Sequence, residues 1–264
     1  LWEPAENHLM WSAVSRAVRT PSRGDNDIRF TRQVIPSGTV ENPGPLPAAV
    51  TIWGLSDYDS EDLLAYEIGH RLKAIDTFSL DTTAFYYRYS NLSTYELGDP
   101  FPVLDNNPPY VVQPLYVGNL MDATTWGLEL SANWQALPFM RFIASYTFFQ
   151  ADIDIEERPG IVGTVYNKNE SPKHQGSLRT SIDMPFNMEC DIWLRYVDDV
   201  LNGTVDGYTD MDVRLGWKYS RMVELSLCGQ NLLHRSHAEY LEDFVLNKPT
   251  EVPRSVYGKI TLHY

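Results

Sequence analysis

Tyr208-Thr209-Asp210-Met211-Asp212-Val213-Arg214-Leu215-Gly216-Trp217-Lys218-Tyr219 decides the fold. Thr209, Met211, Val213, Leu215, Trp217 and Tyr219 form one set, and Tyr208, Asp210, Asp212, Arg214, Gly216 and Lys218 the other. Side chains on a β-strand point alternately to its two faces, so this stretch has one oily face and one charged face. A helical period would mix the two sets.

The rhythm recurs in both directions. In 123–136, Thr124, Trp126, Leu128, Leu130, Ala132 and Trp134 oppose Thr125, Glu129, Ser131, Asn133 and Gln135. In 188–197, Met188, Cys190, Ile192, Leu194 and Tyr196 oppose Glu189, Asp191, Trp193 and Arg195. Segments 173–184 and 255–264 alternate in the same way. Segments 61–73, 75–90, 139–152 and 222–233 do so less cleanly, and 8–18 weakly. Counting them gives about ten strands: 8–18, 61–73, 75–90, one ending at 136, 139–152, 173–184, 188–198, 208–219, 222–233 and 255–264. Segments 27–36 and 48–53 are strand-like but spoil the parity, and are expected as ribbons within a long loop.

Composition narrows the class. Of 264 residues, 43% are hydrophobic and 12% aromatic, too apolar for a disordered chain. Asp and Glu outnumber Lys and Arg by 35 to 21, a net charge of −14, which leaves no basic stripe for nucleic acid. No apolar run reaches the ~18 residues of a membrane helix, but a barrel strand crosses with only ~9–11 alternating residues. The opening Leu1-Trp2-Glu3-Pro4 has neither a basic start nor an initiator Met, and is expected to lie within a longer protein.

A soluble sandwich also alternates, but these segments exceed its usual strands of ~5–6 residues. Trp126 and Trp134 stand at the two ends of one oily face. Their separation is ~26 Å along a strand, or ~20 Å of height when tilted, close to the ~25 Å apolar band between aromatic girdles. Phe142 with Phe148, and Phe78 with Tyr86, suit the same girdles. Tight turns at 73–76, 136–138, 185–187 and 220–221 alternate with long loops at 19–60, 91–122 in part, 153–172, 198–207 and 234–254. That asymmetry belongs to outer-membrane barrels, with turns periplasmic and loops extracellular. The fold expected is therefore all-β, an antiparallel up-and-down transmembrane barrel, either closed on itself or completed by other segments.

Ser15-Arg16-Ala17-Val18-Arg19-Thr20-Pro21-Ser22, after Leu9-Met10-Trp11, resembles the mid-barrel signature of TonB-dependent outer-membrane receptors. Gly229-Gln230-Asn231-Leu232-Leu233, then His237-Ala238-Glu239-Tyr240, is similar to the penultimate strand and outgoing loop of that family. Val252-Pro253-Arg254-Ser255-Val256-Tyr257-Gly258-Lys259, ending in Tyr264, is similar to its closing strand. The resemblance runs in order over nearly the whole chain. It implies a bacterial outer-membrane receptor for a scarce small-molecule ligand: siderophore-bound iron, haem, cobalamin or a similar chelate. Its implied partners are outer-membrane lipid and lipopolysaccharide, a plug and N-terminal barrel segment, and the TonB complex reached through that N-terminal part. Residues 1–264 then read as the C-terminal part of the barrel, a fragment not expected to transport alone. A passive porin-like channel and a soluble carbohydrate-binding β-sandwich are the alternatives.

No catalytic residue, metal site or cofactor is expected; a Gly-x-Ser-x-Gly elbow and a phosphate loop are both absent from the sequence. Tyr87, Tyr89, Tyr95 and Tyr110 are the candidate ligand contacts. They gather aromatic faces near one rim, and Tyr87 and Tyr89 fall on the lumenal parity opposite Tyr86. Arg16 and Arg19 are expected to tie a strand end to its loop. His234 and His237 with Glu239, Glu242 and Asp243 read better as a polar loop than as a zinc set. Asp57, Asp59 and Glu61 alternate like calcium ligands but lack the loop glycine. Asp152, Asp154, Glu156 and Glu157 read as a solvated strand tip. Cys190 and Cys228 lie on opposite faces of non-neighbouring strands, which rules out a disulfide on geometry.

Overall fold

The computed structural model describes residues 1–155, 161–164 (as backbone), 169–240 and 250–263. One antiparallel sheet runs through β1 (Trp2–Ala5), β2 (His8–Arg19), β5 (Glu61–Ile75), β6 (Phe78–Leu97), β8 (Tyr110–Leu137), β9 (Met140–Ile155), β11 (His174–Met184), β12 (Met188–Val197), β13 (Tyr208–Lys218), β14 (Val223–Gln230) and β17 (Ser255–Leu262). Ten of these are the strands expected from alternation, and β1 is a short addition at one edge. Among the described residues β1 and β17 do not pair, so the sheet is open and does not close on itself. It is the wall of a partial barrel.

Register places the oily positions side by side. Phe78, Trp134 and Phe142 align across β6, β8 and β9, as do Ala84, Leu128 and Phe148. Trp134 stacks on Phe142 at 5.7 Å, and Trp126 meets Phe148 edge-on at 5.5 Å. These two aromatic pairs bound an apolar band whose middle is Leu130. The band faces outward: Trp126 is 42% and Trp134 46% exposed. On β13, Leu215 and Trp217 are likewise exposed rather than packed under a second sheet, which a sandwich requires.

The opposite face carries the charges. The Arg214 guanidinium donates to Glu189 at 3.1 Å, to Asp191 at 3.0 Å and to Glu224 at 2.8 Å, joining β12, β13 and β14. Lys218 also pairs with Glu189, and Arg195 with Asp210 and Asp212. Each charge here has a partner of opposite sign one strand away, which offsets the cost of taking it part-way out of water.

The two ends of the wall differ. Connections at 76–77, 138–139, 185–187 and 219–222 are short. In the third of these turns, Phe186 and Asn187 adopt φ of +63° and +58°. At the other end β6 and β8 stay paired as far as Leu97 against Leu115, and β8 itself begins at Tyr110, making strands of 20 and 28 residues. Much of the expected 91–122 loop is thus regular hairpin. The 27–36 and 48–53 ribbons are β3 (Arg29–Ile35) and β4 (Ala48–Trp53), paired with each other. β4 also lies parallel to β8, from Ala48 against Val111 to Trp53 against Tyr116. Its run Ala48-Ala49-Val50-Thr51-Ile52-Trp53 suits a strand covered on both faces. Ile52, Tyr58, Leu115 and Val117 form a small core, with Ile28, Val50 and Tyr95 against it. β7 (Phe101–Val103) joins β8, β10 (Ile161–Thr164) joins β6, and β15 (Ser236–Ala238) pairs with β16 (Glu251–Pro253).

Candidate functional site

Where β5, β6, β8 and β9 approach the long-loop end, their inner face turns apolar. Tyr89 pairs with Ala123 and Ala123 with Ile153; Thr125 pairs with Ala151 and Gly127 with Phe149. These residues share the lumenal parity. Apolar side chains at inward positions are what weakened the alternation in 75–90 and 139–152. Gly127 leaves room for the ring of Phe85, since a Cβ there would stand 2.6 Å from its tip and 2.1 Å from the Phe148 carbonyl oxygen. The result is a cavity of about 320 Å³, lined by Tyr89, Leu92, Thr125, Phe149, Glu61 and Glu170 among others. That is at the lower end of the range for small-molecule sites.

Glu61 is held at the cavity by a buried network. Its Oε1 accepts from the Tyr58 hydroxyl at 2.8 Å, the Ser93 hydroxyl at 2.8 Å and Arg19 Nη1 at 2.9 Å. Tyr58, Glu61 and Ser93 are all buried, so these bonds form away from competing water. Burial pushes the Tyr58 phenol above its ordinary value, and its bond to Glu61 pushes the same way, against Ser93 and Arg19. The second oxygen of Glu61, Oε2, has no partner among the described residues.

Arg19 reaches onward. Its Nη2 donates to both oxygens of Asp25 at 3.0 Å. Asp25 sits in the helical turn α1 (Arg23–Asp27), where Ser22 caps the N-terminus and the Asp25 carboxylate accepts from the Ser22 N–H at 2.8 Å. Arg16, on the outer face, pairs with Asp62 at 2.5 Å. Arg19 therefore ties the end of β2 to the turn that follows it, as expected, whereas Arg16 pairs across to the neighbouring strand β5 and not to the loop. Burial opposes the Asp25 charge, but Ser22 and Arg19 outweigh it and hold the carboxyl below the usual range. A depressed carboxylate gives stability that is present above ~4 and lost as pH falls through its lowered value. The Ser22 amide signal in NMR of the reconstituted protein should therefore titrate with a midpoint below ~4, and Asp25→Asn should remove that titration.

The four candidate tyrosines divide. Tyr87 and Tyr89 are on the lumenal face, and Tyr89 lines the cavity. The Tyr87 hydroxyl donates to Glu67 at 2.5 Å and is engaged. Tyr95 packs on the small core of the long-loop end, and Tyr110 lies farther out, paired with Val103 and accepting from Asn106 at 3.4 Å. The structure does not bring these four to one point. Glu61, Thr125 and Phe149 were not singled out as ligand contacts from sequence; the signal available was the apolar run Phe149, Ala151 and Ile153 at inward positions.

His237 stacks on Tyr208 at 4.0 Å and contacts Glu239 at 3.1 Å, while His234 contacts the Thr209 carbonyl at 2.9 Å. Glu242 and Asp243 lie outside the described residues, as do Glu156 and Glu157. No group of three metal-ligating side chains occurs among the described residues, those at Asp57, Asp59 and Glu61 included. Asp152 and Asp154 pair with Thr124 and Asp122 at the long-loop end of the outer face. Cys190 and Cys228 are free, on strands separated by β13.

Comparison with known proteins places this wall. The structure resembles the siderophore receptor PirA from Acinetobacter baumannii, with 13% identity and a TM-score of 0.70, covering 98% of this chain and 39% of that one. It resembles the ferric-catecholate import receptor Fiu from K12 E. coli, at 18% identity and TM-score 0.65, over 100% of this chain and 34% of that one. For the FrpB iron transporter from Neisseria meningitidis the values are 14%, 0.64, 99% and 37%. At such identities the likeness shows the fold, and the chain spans little more than a third of these structures. No curated protein sequence matches the chain. The family model for the TonB dependent receptor-like β-barrel matches residues 1–232, and with the ordered signature, the open antiparallel wall and the two-faced strands, it shows that this chain belongs to the TonB-dependent receptor β-barrel family.

Proposed function

We propose that this chain forms part of the wall of an outer-membrane receptor that imports a scarce small-molecule ligand with energy from the TonB complex. Siderophore-bound iron, haem, cobalamin and similar chelates are the class of cargo. The carrying observation is the lumenal cavity at the long-loop end, between the outer mouth and the charged inner wall, with Glu61 fixed beside it. The outer face, with its aromatic girdles, meets lipid, and its loop end meets lipopolysaccharide. A plug, further barrel strands and the TonB-contacting segment are the partners that energised transport requires. Tyr89 is the best placed of the four tyrosines to touch ligand, Tyr87 stands beside it, and Tyr95 and Tyr110 act from the loops.

The test is uptake in cells that carry the receptor. Accumulation of radiolabelled iron from one class of chelate should depend on the encoding gene and stop when the inner-membrane proton gradient is collapsed. Gene-dependent uptake that persists without the gradient would favour a passive channel instead.

A further inference from the structure

The cavity has a charge preference that the receptor reading alone does not supply. Among the described residues its ionisable lining groups are Glu61, Glu170 and the phenol of Tyr89, with no Lys, Arg or His. Arg19 touches Glu61 through Oε1, which also takes the bonds from Tyr58 and Ser93. Three donors on one oxygen fix the carboxylate and leave Oε2 available as an acceptor. Thr125 is 9% exposed, and its Oγ1 is buried without a partner among the described residues. A buried hydroxyl costs free energy until something bonds to it. Phe149, Leu92 and Tyr89 supply apolar and aromatic surface between these polar points.

We propose that this cavity takes a positively charged chelate with an apolar body, its cationic or N–H-bearing group placed between Glu61 Oε2 and Glu170, and an acceptor on the Thr125 hydroxyl. An anionic chelate entering here would meet two carboxylates in a partly desolvated space, where like charges repel more strongly than in water. The aromatic faces of Tyr89 and Phe149 favour the same sign of charge. This inference rests on the receptor reading and deepens it.

The experiment is equilibrium binding of radiolabelled iron to outer-membrane vesicles from cells expressing the receptor, with a cationic ferric trihydroxamate and a trianionic ferric tris-catecholate as probes. The trihydroxamate should bind saturably and more weakly as salt rises, and the tris-catecholate should not saturate. Glu170→Gln, in a loop, should weaken the trihydroxamate about three- to tenfold. Glu61→Gln should weaken it further, with unheated gel migration checking that the barrel still folds. Saturable tris-catecholate binding that displaces the trihydroxamate, failure of both probes to bind, or unchanged affinity in the Glu170→Gln variant would each overturn the inference. Energised uptake of the tris-catecholate would sink the charge preference and leave the receptor standing. Saturable trihydroxamate binding with no energised uptake of any chelate would do the reverse.

Discussion

Leu130→Arg should destabilise the barrel by ~2–4 kcal/mol in a lipid-based folding titration, while Ser131→Arg, one residue on, should be nearly neutral. Leu130 aligns with Thr82 and Tyr146 on the outer face, midway between Trp126 and Trp134. An arginine there must carry its charge into the middle of the hydrocarbon or distort the bilayer to escape. Ser131 aligns with Asp81 and Ser145 on the lumenal face, where a guanidinium stays hydrated and has an acidic neighbour. The contrast comes from the two-residue period, because the two sites share strand, depth and substitution. Equal losses at both positions would mean that the faces are wrongly assigned.

Glu61→Ala should cost about 2–3 kcal/mol, and the loss should be local. The carboxylate serves Tyr58, Ser93 and Arg19 together, so its removal takes the shared acceptor from two buried hydroxyls, which keep only each other, and from a half-exposed guanidinium. Arg19 keeps Asp25, which limits the damage to less than the 3–5 kcal/mol expected when a fully buried ion pair is broken. Tyr58→Phe removes the donor to Glu61 and the hydroxyl's contacts with Arg19 and Ser93, but both of those keep Glu61, so it should cost about 1 kcal/mol. Hydrogen exchange separates the regions: protection should fall across β3, β4 and the Tyr58 segment, while β11 to β14 stay protected. A uniform loss over the whole sheet would contradict a local role for this network.

The strands were legible in the sequence because each lies between two solvents. Met211, Leu215 and Trp217 meet one medium and Asp212 and Arg214 another, and alternation records that directly. Ten strands could be counted on this basis, with ends displaced by a few residues: the 61–73 segment runs to Ile75, and 222–233 stops at Gln230. Beyond the band the rule loses its cause. Val112, Leu115 and Val117 on β8 are buried against β4, so both parities turn apolar and the extension reads as loop. The cavity was hidden for a related reason. Phe149, Ala151 and Ile153 are apolar on the lumenal side because they line a hollow, and by pattern alone they only blur the strand. Glu61 stood out as one of three alternating acids, but the donors that fix it come from β2, from the segment before β5 and from β6. Such convergence is a property of the fold and leaves no local spacing to read.

The one parallel pairing among the described residues, β4 along β8, also bears on the order of assembly. Ala48 and Val111 are distant in sequence, and the chain between them must first complete β5, β6 and the turn back into β8. Joining such distant partners costs more loop entropy than zipping neighbouring hairpins. Loop entropy therefore favours a wall built first and an outer porch added last, its doorway closing only once the staves beside it stand.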